Sequence, residues 1–86
     1  MYKVLVRPHV WKDLHPVPES LKQRLLGEMT ALSKEPRPKG CKKLADSHNS
    51  WRVRVGNYRI LYIIDDEENQ VVVYRVRHRK DVYRPR

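Results

Sequence analysis

Apolar positions change their period partway along the chain, and the change marks out its elements. Residues 2–7, Tyr-Lys-Val-Leu-Val-Arg, alternate. They predict a strand with Tyr2, Val4 and Val6 on one face and Lys3, Leu5 and Arg7 on the other, ended by Pro8. Trp11 and Leu14 stand at helical spacing in a short segment that Pro16 stops. Beyond Pro18, Leu21, Leu25, Met29 and Leu32 recur at i, i+4, i+8 and i+11, the single apolar stripe of a helix. Pro18 and Glu19 suit its first turn, and Pro36 and Pro38 end it. Residues 35–50 are polar and basic with two prolines and a glycine, and read as a loop with Leu44 pinned to the core. From there the period is two. Trp51, Val53 and Val55 alternate with Arg52 and Arg54, and Gly56-Asn57 signals a two-residue hairpin turn. Residues 58–64 form the most apolar run and predict a central strand, followed by a polar turn over residues 65–70. Residues 71–76 predict the next strand, with Val72, Tyr74 and Val76 opposite Val71, Val73 and Arg75.

Strand, two helices, then a three-strand antiparallel meander is the order of an α+β fold rather than an alternating one. The first strand is expected to join the same sheet, making four strands, because a lone strand would leave its backbone unpaired. At 86 residues the chain has room for one hydrophobic core, so a single domain over residues 1–86 is expected.

Composition narrows the class. Apolar residues at 40% beside charged residues at 34% exclude a disordered polar chain. No apolar stretch reaches the about 20 residues of a membrane span, and the first residues lack the apolar segment of a signal peptide. A soluble, cytoplasmic protein without a membrane partner is expected. A single cysteine, Cys41, leaves no internal disulfide and no cysteine-based zinc cluster. His9, His15 and His48 are spread without metal-ligand spacing. Asp65, Asp66, Glu67 and Glu68 cluster in a turn, where solubility explains them. No metal and no cofactor are expected.

Charge changes the picture most. Nineteen Lys and Arg against ten Asp and Glu give +9, which points to a polyanion or an acidic partner. The arginines concentrate in the meander and its exit: Arg52, Arg54, Arg59, Arg75, Arg77 and Arg79. With a two-residue turn at Gly56-Asn57, Val55 pairs with Tyr58 and Arg54 falls opposite Arg59. Like charges so placed are destabilising unless an anion lies between them. Arg59 also interrupts an apolar central strand, where a charge is costly unless paired or used; pairing with Asp81 or Glu28 is the structural alternative. For Arg52 a solvated face is as good a reading as a functional one.

The segment Arg77-His78-Arg79-Lys80-Asp81-Val82-Tyr83 gathers imidazole, guanidinium, ammonium and phenol. That set suits phosphodiester chemistry on RNA: histidine moves protons near neutral pH, arginine neutralises phosphate charge, and tyrosine acts as a base or stacks on one. A simple phosphate-binding strip fits the segment equally well.

The motifs Trp51-Arg-Val-Arg-Val-Gly-Asn-Tyr-Arg-Ile-Leu-Tyr and Val76-Arg-His-Arg-Lys-Asp-Val-Tyr, in this order and spacing, resemble the RelE/ParE toxin superfamily, and its RelE branch more closely. The resemblance covers essentially the whole chain. It implies a small curved sheet with two helices on one face, and a toxin that cleaves mRNA in the ribosomal A site by metal-independent attack of the 2′-hydroxyl. By the same resemblance Arg59 would stabilise the phosphorane, while Arg52 and Arg54 would hold the mRNA backbone. Arg77 and Lys80 would contact RNA, His78 and Arg79 would donate the acid or bind phosphate, and Tyr83 would be base or stacking platform. Members of the family carry lysines where this chain has Arg52 and Arg54, which favours an electrostatic role for both. The implied partners are the ribosome with its mRNA and a cognate acidic antitoxin that wraps the toxin, with DNA contacted only through that complex. The alternatives are a ParE-like gyrase-inhibiting toxin and a non-enzymatic RNA- or ribosome-binding module.

Overall fold

The computed structural model describes residues 1–44 and 49–79. Strand β1 (Lys3–Val6) leads into helix α1 (Pro8–Leu14) and helix α2 (Glu19–Ala31). Four more strands follow: β2 (Lys42–Lys43), β3 (Ser50–Val55), β4 (Tyr58–Asp65) and β5 (Gln70–His78). The sheet order is β1-β5-β4-β3-β2. β1 runs parallel to β5, and every other pairing is antiparallel. The sheet therefore has five strands where four were expected. The extra one is Lys42–Lys43, within the segment read as a loop; two lysines offer no apolar alternation by which to recognise a strand.

Both helices lie on one face of the sheet. Val10, Leu14 and Val17, with Leu25, Met29 and Leu32, close on Val53, Val55, Ile60, Tyr62, Ile64, Val71, Val73 and Val76. Burying each of the larger aliphatic side chains contributes about 1.5–3 kcal/mol. Proline opens both helices: Pro8 begins α1, where its missing N–H and fixed φ cost nothing, and Pro18 caps α2 just before Glu19. α1 buries Val10 and Leu14 and leaves Trp11 53% exposed, so the packed pair is i, i+4 and not the Trp11–Leu14 pair. α2 buries Leu25 and Met29, with Leu32 at its C-cap, and ends before Pro36. Leu44 is half-buried, its N–H donated to the Ser50 carbonyl at 2.8 Å, and Cys41 of the same segment packs against the core. Among the described residues no helix is long and apolar enough to cross a membrane.

The β3–β4 hairpin has the expected register, with Arg54 across from Arg59 and Val55 across from Tyr58. Gly56 at φ 60 supplies the positive φ that this two-residue turn needs at its first central position. β5 departs from expectation. Leu61 pairs with Arg75 but Tyr62 pairs with Val73, so Tyr74 is an extra residue, a β-bulge. The bulge reverses the alternation: Val76 joins Val71 and Val73 under the helices, and Arg75 moves to the opposite face. The Tyr74 hydroxyl donates to Ser50 Oγ at 3.3 Å on that open face.

At the end of the sheet away from the hairpin, Asp66 accepts bonds from Arg37 (2.8 Å) and from the Tyr2 hydroxyl. These hold its carboxyl below the usual carboxylate range, the guanidinium contributing most, and the same carboxylate raises the Tyr2 phenol. Arg37 also lies over the Trp51 ring at 5.1 Å. Tyr62 is fully buried, donates to the Pro36 carbonyl at 2.8 Å, and is pushed well above an ordinary phenol, chiefly by burial.

Candidate nucleic-acid interface

Residues paired across a ladder leave the sheet on the same side, so register alone fixes which cations meet. Arg54, Arg59 and Arg77 form one cross-strand row over β3, β4 and β5. Strands lie about 4.8 Å apart, which places three guanidinium stems within about 10 Å. The next row, about 6.7 Å along the strands, is Arg52, Leu61 and Arg75. The core residues Ile60 and Tyr62 alternate with Arg59 and Leu61, so both rows occupy the face that the helices do not cover.

Arg59 is only 5% exposed, whereas Arg54 and Arg79 are exposed and Arg52 and Arg77 are half-buried. A charge partly withdrawn from water at the floor of a cationic row interacts with an anion more strongly than a solvated one does. Arg54, Arg59 and Arg79 line one recess together with Gly56, Asn57 and Tyr58. Arg79 is brought there by its N–H, which donates to the Asn57 carbonyl at 2.7 Å and ties the exit of β5 to the hairpin turn. Guanidinium groups so placed are forked donors of the kind that suit phosphate oxygens.

His78 is placed differently. It pairs with Tyr58 and packs edge-on against that ring, with centroids 4.9 Å apart and planes at 87°. Tyr58 belongs to the helix-covered side, so His78 leaves β5 on the side opposite Arg77. Lys80 and Tyr83 lie outside the described residues, as do Asp81 and His48. Glu28, the other expected partner for Arg59, is exposed on α2, across the sheet from Arg59. Arg75 is engaged instead by Asp13 of α1, with Nε to Oδ2 at 3.0 Å.

Sequence reasoning brought Arg54 and Arg59 together but did not single out Tyr58, Asn57 or Gly56 as lining. The turn that predicts the hairpin was itself the signal for those three, because a recess beside a two-residue turn is lined by the turn. Among the described residues no three His, Cys, Asp or Glu side chains gather as a metal site would require.

The family model described as the ParE toxin of the type II toxin-antitoxin system, parDE, matches residues 4–83. The chain is 38% identical over 78 residues to toxin RelG of Mycobacterium tuberculosis, with 85% of each chain covered. It superimposes on the archaeal RelE–RelB complex from Pyrococcus horikoshii with a TM-score of 0.81 and 25% identity, covering 91% of this chain and 94% of that one. The M. tuberculosis toxin–antitoxin complex RelBE2 gives a TM-score of 0.79 and 35% identity, covering 91% and 98%. Sequence match, shared fold and a cationic open face agree, and the chain belongs to the RelE/ParE superfamily of type II toxin–antitoxin toxins.

Proposed function

We propose that the chain is an endoribonuclease that cuts mRNA on the ribosome and so stops translation. The observation that carries this reading is the row Arg54–Arg59–Arg77, three like charges set across adjacent strands with the middle one buried. Guanidinium groups at this spacing present forked donors to the oxygens of a phosphate.

In the reaction the RNA 2′-oxygen loses its proton and bonds to the adjacent phosphorus. The bond from phosphorus to the 5′-oxygen then breaks, leaving a 2′,3′-cyclic phosphate and a 5′-hydroxyl that has gained a proton. Arg59 neutralises the extra charge of the phosphorane, and Arg54 and Arg77 hold its non-bridging oxygens. Arg52 and Lys80 contact the backbone on either side. The guanidinium groups stay protonated and act through charge. Proton transfer falls to His78, Tyr83 and groups of the ribosome, with Arg79 at the recess as a phosphate contact. A chain with so few proton-shuttling groups depends on the ribosome to position its substrate.

The partner that silences the toxin is a cognate antitoxin with an acidic segment that covers the basic face. RelE–RelB pairs among the structural relatives support this reading, and so does the +9 charge. DNA would be contacted through that complex.

Primer extension on an mRNA held on ribosomes tests the reading, with purified wild type, with Arg59→Ala, and with free mRNA in parallel. Cuts at A-site codons that need the ribosome and vanish in Arg59→Ala are expected. The family model carries the name of ParE, so an absence of cuts together with inhibition of gyrase supercoiling would replace this reading with the gyrase one. Binding without cuts or gyrase inhibition would leave a non-enzymatic RNA-binding module.

A further inference from the structure

We infer that the short edge strand β2 is a second phosphate contact of the RNA-binding face, made through Lys42. This rests on the nuclease reading above and extends it to a residue outside the motifs that suggested it. Lys42 pairs with Arg52 and Lys43 with Trp51. Paired residues share a side, so Lys42 stands on the open face beside Arg52, while Lys43 stands on the other face, its ammonium 6.0 Å from the centre of the Trp51 ring.

Lys42 therefore heads the row Lys42–Arg52–Leu61–Arg75, next to the row Arg54–Arg59–Arg77. Within that row Leu61 carries no charge and Arg75 is held by Asp13. The basic residues of the open face thus run as a track from the recess at Arg79, Arg59 and Arg54, along β3 to Arg52, and out to Lys42 at the sheet edge. Lys42 is exposed, and none of the ion pairs among the described residues involves it. The like-charge juxtaposition of Arg54 with Arg59 is repeated one row along by Lys42 with Arg52. Two successive rows of this kind fit a backbone of successive phosphates better than a single anion. A strand with its scissile phosphate over the recess would lay the neighbouring phosphate over Arg52 and the next at Lys42. The competing explanation is that exposed lysines on a two-residue edge strand merely keep it from pairing with another sheet.

The test is binding of a fluorescent single-stranded RNA, 2′-O-methylated throughout so that it lacks the nucleophile, to the full chain over a series of salt concentrations. Each phosphate contact to a single strand contributes about 0.7 to the slope of log affinity against log salt. Lys42→Gln is expected to lower the slope by about 0.7 and weaken binding several-fold at low salt, with Lys42→Arg restoring both. Lys43→Gln removes the same charge from the opposite face and should leave the slope unchanged. If Arg54→Gln lowers the slope but Lys42→Gln matches wild type, or matches Lys43→Gln, Lys42 is an edge guard and the inference fails alone. If wild type does not bind, or Arg54→Gln binds as wild type does, the open face holds no free RNA and the inference fails, while the nuclease reading is decided separately by the primer-extension assay on ribosomes.

Discussion

Asp13 of α1 and Arg75 of β5 lie 62 positions apart and meet at 3.0 Å, and the same carboxylate oxygen accepts the Val76 N–H at 2.9 Å. β1 stops pairing at Val6↔Val73, so beyond that point β5 is an exposed edge with amides to satisfy. One side chain of α1 satisfies the Val76 amide and fixes the helix to the strand. The Asp13 side chain is only 10% exposed. Asp13→Ala strands a backbone donor and a guanidinium, and should cost about 2–3 kcal/mol. A thermal midpoint about 10 °C lower is expected for a domain of this size. A melting curve unchanged within error would mean that α1 is held by Val10 and Leu14 alone.

Arg77 and His78 make opposite predictions. Arg77 lies in register with Arg59, whereas His78 packs on Tyr58 at the helix-covered side. Arg77→Ala should reduce turnover on ribosomes about 100-fold or more with little loss of stability, as removal of one charge-stabilising donor does. His78→Ala should reduce turnover less and cost about 0.5–1.5 kcal/mol of stability from the lost aromatic pair. Single-turnover rates and urea midpoints for both variants give the comparison, and a larger rate loss in His78→Ala would mean that proton transfer by the histidine outweighs charge stabilisation by Arg77.

Stability should fall at both ends of the pH range, for separate reasons. The folded-state pKa of Asp66 is depressed, so its contribution is complete above about pH 4 and is lost as pH falls through the lowered value. Tyr2 and Tyr62 are raised, so theirs is present below about pH 10 and is lost as pH rises through the raised values. Asp66→Asn should flatten the acid limb of the urea midpoint plotted against pH. Tyr62→Phe should flatten the alkaline limb and cost about 1 kcal/mol at neutral pH through the bond to Pro36. An acid limb identical in wild type and Asp66→Asn would show that another carboxylate governs it.

Gly27 sits in the middle of α2 and is exposed, with nothing within 4 Å of where a Cβ would stand. Gly27→Ala should therefore stabilise the fold by about 0.5–1 kcal/mol through helix propensity and a less flexible unfolded chain. Denaturant titration checks this, and a destabilised variant would mean that the helix is distorted at that point.

Particular residues show how far the sequence could be read. Gly56-Asn57 between alternating segments specified the hairpin, and with it Arg54 opposite Arg59, because a two-residue turn leaves no freedom in register. α2 was legible because Leu25, Met29 and Leu32 keep the helical period. β2 was not, since a pair of lysines has no periodicity. The faces of Arg75, Val76, Arg77 and His78 were hidden by the bulge at Tyr74, which no local composition announces. That one residue decides whether arginine or histidine joins Arg59, so periodicity placed Arg54 opposite Arg59 but not Arg77 beside them, which only the family resemblance singled out.

The bulge also sets how β5 tolerates change. Its upper half, Val71 to Val73, and its lower half, Arg75 to Arg77, are read in two different frames, and Tyr74 is the inserted count that separates them. Substituting Tyr74 keeps both frames and sacrifices one hydroxyl contact. Pairing straight through it, without the bulge, would turn Arg75 and Arg77 under the helices and Val76 out to water, at several kcal/mol for each buried cation, whereas deleting it would join Val73 to Arg75 and leave both frames where they are. The chemistry of this strand thus depends on one residue staying out of the ladder, and a chain with every arginine in place would lose it if Tyr74 were drawn into regular pairing.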